Sequence, residues 1–143
     1  MPIATRSIKF DISKKKNLEK IISNILKKIK VGDAILLYGD LGVGKTTFAR
    51  ILINLLQKKN NLKVTEVPSP TFNIVHEYLI NNTLVAHYDL YRLRSKEECN
   101  DIGLNEDNNN KINIIEWPEK IQKKPINRFE LYLNYKNNFV SRS

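Results

Sequence analysis

The sequence predicts a mixed α/β domain with parallel strand geometry around one glycine-rich turn. Three observations carry that expectation. Apolar residues at helical spacing alternate along the chain with short apolar runs of strand length. One such run, Ala34–Tyr38, leads straight into a glycine-rich turn and then an amphipathic helix. The chain has 143 residues, 41% of them hydrophobic, which suits a single domain spanning residues 1–143 with its own core.

The elements follow in order. Ser7–Ile12 reads as a short strand. Leu18, Ile21, Ile22, Ile25, Leu26 and Ile29 repeat at helical spacing, and Gly32-Asp33 stops that helix. Ala34–Tyr38 suits a buried strand. Phe48, Ile51, Leu52, Leu55 and Leu56 mark a second amphipathic helix, closed by Lys58–Asn61. Val64–Val67 is strand-like, and Asn73–Ile80 and Thr83–Leu90 flank Asn81-Asn82, a pair suited to a hairpin turn. Ser95-Lys96-Glu97-Glu98 has capping-box spacing ahead of a short helix stopped at Gly103. Ile112–Ile115 reads as another buried strand, and Phe129–Tyr135 alternates like a final, half-exposed one.

Composition excludes several classes. The single cysteine, Cys99, has no internal disulfide partner, which points to a reducing compartment and a cytoplasmic location. Apolar runs of about five residues are far short of the ~20 that a membrane span needs. Met1–Phe10 lacks the apolar stretch of a secretory signal. The formal charge of +9 suggests nucleic acid, but Asn, Lys and Ile number 18 each, and all three have AT-rich codons. Base-composition bias with solvated lysines therefore explains most of the charge, and no basic run is interleaved with aromatics.

The chemistry lies in Gly39-Asp40-Leu41-Gly42-Val43-Gly44-Lys45-Thr46, a G-x-x-x-x-G-K-[ST] segment between strand and helix. Its glycines let successive backbone N–H groups face phosphate oxygens, and the helix N-terminus adds its dipole. Lys45 reaches the β- and γ-phosphates, and the Thr46 hydroxyl is placed to ligate Mg²⁺. A nucleoside triphosphate is the expected ligand. Such a loop needs an acid at a neighbouring strand end, and Asp89 and Glu116 each follow an apolar run. The chain lacks N-K-x-D, its nearest string being Asn110-Lys111-Ile112-Asn113, and lacks D-x-x-G, so ATP is favoured over GTP.

With these residues the chain resembles the TsaE family of bacterial ATPases of tRNA threonylcarbamoyladenosine biosynthesis. The likeness runs from the first helix to about Tyr135. It rests on Gly39–Arg50 (GDLGVGKTTFAR), Ser69-Pro70-Thr71-Phe72, His87–Leu93 (HYDLYRL) and Ile115-Glu116-Trp117-Pro118. It implies a P-loop NTPase-like three-layer fold, with a mainly parallel sheet flanked by antiparallel strands. It also implies slow Mg²⁺-dependent ATP hydrolysis, completed by TsaB and TsaD, in support of threonylcarbamoylation of adenosine 37 in tRNAs reading codons that start with A. The ATPase would not itself be the transferase, and tRNA would be met through the complex.

Residue by residue, the resemblance implies that Leu41, Gly42, Val43, Gly44, Lys45 and Thr46 wrap the phosphates. Thr46, Asp89 and Glu116 hold metal and attacking water, with the direct ligand among the two acids left open. Thr47 and Thr71 lie near the γ-phosphate, and Trp117 beside the nucleotide. Asn17 stands where the family often has Thr, and the chain stops at Ser143 where many relatives continue. Lys45, Asp89 and Glu116 are the expected catalytic residues.

Other residues read more plainly. Arg92 is a candidate partner-facing or finger-like group, Arg94 a solvated one. His76 and His87 have no further ligand at zinc spacing, and Cys99 has no histidine near it in sequence. Tyr88 and Tyr91 read as packing residues. Two alternatives to the ATPase subunit are a small P-loop kinase acting on a metabolite and a nucleotide-gated scaffold protein. The kinase would need an arginine-rich lid, whereas the arginines after the loop helix, Arg92, Arg94 and Arg128 among them, are scattered.

Overall fold

Short apolar runs bounded by turns pair side by side when both of their faces can be buried. The computed structural model, which describes residues 6–11, 15–39, 44–65, 67, 74–95, 98, 110–121 and 123–134, shows this for six strands. They are β1 (Arg6–Asp11), β2 (Ala34–Tyr38), β3 (Val75–Ile80), β4 (Thr83–Asp89), β5 (Lys111–Glu116) and β6 (Arg128–Asn134). Two helices, α1 (Lys15–Lys28) and α2 (Lys45–Lys59), and a 3-10 turn at Pro118–Lys120 complete the described elements. The sheet order is β1-β6-β2-β5-β4-β3. Five strands run parallel, and only β3 pairs antiparallel, with β4.

The expectation of antiparallel strands on both flanks is therefore corrected. Among the described residues one edge, β3, is antiparallel, because the two-residue Asn81-Asn82 turn returns the chain directly beside itself. Both asparagines have positive φ (47° and 69°), as a type I′ hairpin requires. The other edge, β1, is parallel to β6.

β6 is also not peripheral. It lies between β1 and β2, with Phe129, Leu131 and Leu133 buried against the helices. Its alternation arises because Arg128, Glu130 and Tyr132 point to the less covered face. There Tyr132 stacks on Tyr38 of β2, ring centroids 4.5 Å apart.

Both helices pack on one face of the sheet. Leu18, Ile22, Ile25 and Leu26 of α1, with Phe48, Ala49, Leu52 and Ile53 of α2, meet Ile35, Leu37, Val85, Ile112, Ile114 and Leu131. The opposite face buries Ala34, Leu36, Ala86, Tyr88 and Ile115 under Leu90, Leu93 and Ile121. Those covering residues come from the segments after β4 and after β5. A helical third layer is not seen among the described residues, and most of the short helix expected from Ser95 to Gly103 lies outside them. At its start the Glu98 carboxylate accepts from the Arg94 N–H at 3.0 Å.

Val64–Val67 forms no strand in the described part, residue 66 lying outside it. Its backbone groups are taken by α2 instead: Gln57 Oε1 accepts from the Thr65 N–H, and Asn54 Nδ2 donates to the Thr65 carbonyl. Val67 alone is anchored in the core. Among the described residues no helix is long and apolar enough to cross a membrane.

The interior position of β6 has a measurable consequence. Leu131 is fully buried between β1 and β2, so Leu131→Ala should cost about 2–5 kcal/mol of unfolding free energy. Urea unfolding should show a lower midpoint with an unchanged slope.

Candidate functional site

Parallel neighbours place their C-terminal ends side by side, and β2, β5 and β4 are consecutive in the sheet. Leu37 pairs with Glu116, and Glu116 with Asp89. The glycine-rich turn rises from the same end. Gly39 follows β2, and Gly44 caps α2 with φ 105°, a left-handed value that a side chain at that position would resist. Residues 40–43, including Leu41, Gly42 and Val43, lie outside the described residues.

Lys45 opens α2 with 4% of its surface exposed. Its Nζ donates to the Gly39 carbonyl at 2.6 Å and lies 4.2 Å from the centroid of the Trp117 ring. The ammonium is thus folded back across the turn, held by a carbonyl and an aromatic face. One residue on, Thr46 Oγ1 donates to Glu116, 2.9 Å from Oε1 and 3.1 Å from Oε2. These partners are 70 residues apart in sequence.

Glu116 is 2% exposed and receives a second donor, His87 Nε2, 2.6 Å from Oε2. Asp89 ends the adjacent strand. Its N–H donates to the Ile74 carbonyl, and its Oδ1 accepts from the Tyr91 N–H at 3.1 Å. Burial pushes the Asp89 carboxyl above the usual carboxylate range; the Tyr91 N–H opposes this, and the neighbouring Glu116 adds to it. A buried carboxyl whose ionisation is opposed by burial and by a neighbouring acid marks a place where a cation is stabilised.

Trp117 has φ 61° and ψ 53°, left-handed, although it is neither glycine nor free of the proline that follows it. That turn sends the ring back over Lys45, where Tyr91 packs against it at 4.9 Å. Ile74 (φ 68°), which is β-branched, is a second backbone outlier beside the site, and its carbonyl holds the end of β4.

The structure thus brings together Lys45, Thr46, Glu116, Asp89 and Trp117 from three segments, the start of α2 and the ends of β4 and β5. Thr47 points to solvent. Thr71 lies outside the described residues, as does the side chain of Asn17. Arg92 is exposed but not without a partner. The residue missed in sequence is His87, read only as a poor zinc ligand. Its signal was strand geometry: two positions before Asp89, it shares that residue's face.

The donor set fits Mg²⁺ in a specific sense. A hydroxyl and two carboxylates are hard oxygen donors, and Mg²⁺ usually takes one or two carboxylates with phosphate oxygens and water. Among the described residues no three His, Cys, Asp or Glu side chains form a cage of their own. Oxygen atoms of water or a ligand would complete the shell.

Fold and site together define a class: a mixed α/β protein in which a G-x-x-x-x-G-K-T segment joins a buried parallel strand to a helix, with strand-end carboxylates converging on that helix. The chain belongs to the TsaE family, whose sequence profile, described as "Threonylcarbamoyl adenosine biosynthesis protein TsaE", matches residues 12–143. A Rickettsia conorii relative named tRNA threonylcarbamoyladenosine biosynthesis protein TsaE is 38% identical over 111 residues, 78% of this chain and 61% of that protein. Relatives of the same name from Rickettsia typhi and Haemophilus influenzae are 41% and 40% identical. The matches cover 74% of this chain and 74% of the first protein, and 72% and 64% for the second. The chain thus spans about three fifths of the length of the R. conorii relative. Among solved structures, Bacillus subtilis YdiB superposes with a TM-score of 0.53 at 24% identity, over 78% of this chain and 65% of that one, a likeness of fold.

Proposed function

We propose that this protein binds ATP with Mg²⁺ and hydrolyses it as a subunit supporting threonylcarbamoylation of adenosine 37 in tRNA, acting with TsaB and TsaD rather than transferring the group itself. The observation that carries this reading is the contact of Thr46 with Glu116, made directly beside Lys45 at the C-terminal end of the parallel strands. Family membership supports the tRNA pathway; the partners and the cytoplasmic setting belong to the proposal.

In this reading Lys45 leaves the Gly39 carbonyl for the β/γ-phosphate bridge, carrying a point charge to the leaving group. Thr46 Oγ1 and the carboxylates of Glu116 and Asp89 would hold Mg²⁺, which supplies charge neutralisation on the phosphates. One of the two acids would meet the metal directly and the other through a bound water, so that the pair also orients the attacking water. Trp117, half-buried against Lys45, would lie beside the bound nucleotide.

Two measurements test this. ATP hydrolysis by the chain alone should be slow and should rise when TsaB and TsaD are both added; rapid hydrolysis alone with no response to either overturns the reading. The chain's one tryptophan gives an independent signal, because Lys45 must leave the Trp117 ring to meet phosphate. Titration with ATP and Mg²⁺ should change the intrinsic fluorescence, and Trp117→Phe should abolish the change.

A further inference from the structure

The mechanism above leaves one buried polar group at the site without a task. His87 has no exposed surface, and a ring nitrogen in such a place is costly unless hydrogen-bonded. A carboxylate only accepts, so Nε2–H donates to Glu116 Oε2 at 2.6 Å. The other nitrogen, Nδ1, has no hydrogen-bond partner among the described residues. His87 therefore acts through a single N–H, aimed at a single oxygen.

The ring comes to Glu116 from the neighbouring strand. His87 pairs with Ile114, two residues before Glu116, so both side chains project from the same face. Glu116 thus lies between two donors on different elements, Thr46 on α2 and His87 on β4. A glutamate has three rotatable side-chain bonds, and one donor alone leaves it free to pivot. Two donors from rigid elements fix where its carboxylate points.

We propose that His87 is a positioning residue for Glu116: its Nε2–H anchors Oε2 and so holds the carboxylate against Thr46 Oγ1, which lies within hydrogen-bond distance of both oxygens, beside Lys45. The inference rests on the ATPase reading of the site. It extends that reading by separating the group that meets metal and water from the group that aims it. Misplacing a reacting carboxylate by about 1 Å is enough to lose two orders of rate.

Three substitutions separate aiming from filling space. His87→Gln carries an amide N–H about as far from the backbone as Nε2, whereas His87→Asn ends near the position of Nδ1. His87→Phe fills the volume with no donor. In the complex with TsaB and TsaD, His87→Asn and His87→Phe should lower kcat for ATP hydrolysis roughly 10–100-fold, the usual range for groups that orient a metal ligand. ATP affinity, read by Trp117 fluorescence, should stay within about threefold, and His87→Gln should recover most of the rate. The Mg²⁺ concentration giving half-maximal fluorescence change should rise in the two impaired variants and not in His87→Gln.

Circular dichroism gives the folded fraction for each rate. A purely structural histidine would lower melting temperature while leaving kcat per folded molecule intact, and that result overturns the proposal. So does a further loss when His87→Phe is added to Glu116→Gln, measured in single turnovers, because a residue acting only through Glu116 has nothing left to aim. If wild-type protein hydrolyses no ATP with any partner, the ATPase reading itself fails and takes this inference with it. That outcome shows in the wild-type control, before any variant is compared.

Discussion

Lys45→Ala should abolish ATP binding at concentrations that saturate the wild-type protein. The ammonium is a cation at the turn between β2 and α2, and it is stored 2.6 Å from the Gly39 carbonyl and against Trp117, within reach of anything bound there. Losing a charged donor of this kind costs about 2.7–4 kcal/mol of transition-state stabilisation, a rate loss of roughly 10²–10³-fold. Ground-state affinity falls as well, since the triphosphate carries its charge before reaction. Fluorescence titration should therefore show no saturation, and residual hydrolysis should fall to background. The fold should survive, because α2 buries Phe48, Ala49, Leu52 and Ile53, which the substitution does not touch. Lys45→Arg should rescue poorly: a planar guanidinium does not replace a compact point charge between a carbonyl and an indole ring. Even without nucleotide, Lys45→Ala should alter the tryptophan emission, as the ring loses its cation.

The part of this site that is local in sequence was legible there. Tyr38, the glycine-rich turn and the apolar stripe from Phe48 specify strand, loop and helix within twenty residues, and the loop chemistry follows from residue type. Asp89 and Glu116 were legible as strand-end acids. Their meeting depends on which strands are neighbours, and parallel pairing leaves no local turn to read. The same gap hid the place of β6: alternation in Phe129–Leu133 marks a strand with unequal faces, not its rank in the sheet. Val64–Val67 was misread for a different reason. Its residue types suit a strand, but Gln57 and Asn54 project from α2 and occupy the Thr65 backbone groups that a neighbouring strand would need. His87 was hidden by separation, since its partner lies 29 residues away and the pair exists only through the β4–β5 register. Nor could the Trp117 backbone be anticipated, because a residue before proline ordinarily stays extended.

Glu116→Gln should separate binding from turnover in the opposite sense to Lys45→Ala. Lys45 and the turn are left in place, so ATP should still bind and change the Trp117 signal. Hydrolysis should fall roughly 10²–10³-fold, because an amide lacks the charge needed to hold metal or to orient water. Geometry adds to the loss. Glu116 accepts from both Thr46 Oγ1 and His87 Nε2, whereas a glutamine offers one carbonyl oxygen and must turn an N–H₂ toward one of those donors. Glu116→Ala should be worse for stability, since it leaves the fully buried His87 N–H without an acceptor, at about 1–3 kcal/mol, and the half-buried Thr46 hydroxyl without its partner. A fall in kcat with little change in affinity marks an interaction made in the transition state, whereas Lys45→Ala removes binding as well. The pair then decides what hydrolysis is for. With TsaB, TsaD and tRNA present, a Glu116→Gln subunit that binds ATP but cannot split it should leave threonylcarbamoylation arrested if turnover resets the complex. Sustained modification by that variant, lost only on Lys45→Ala, would mean that ATP occupancy alone is the signal, and the protein would act as a nucleotide-gated scaffold.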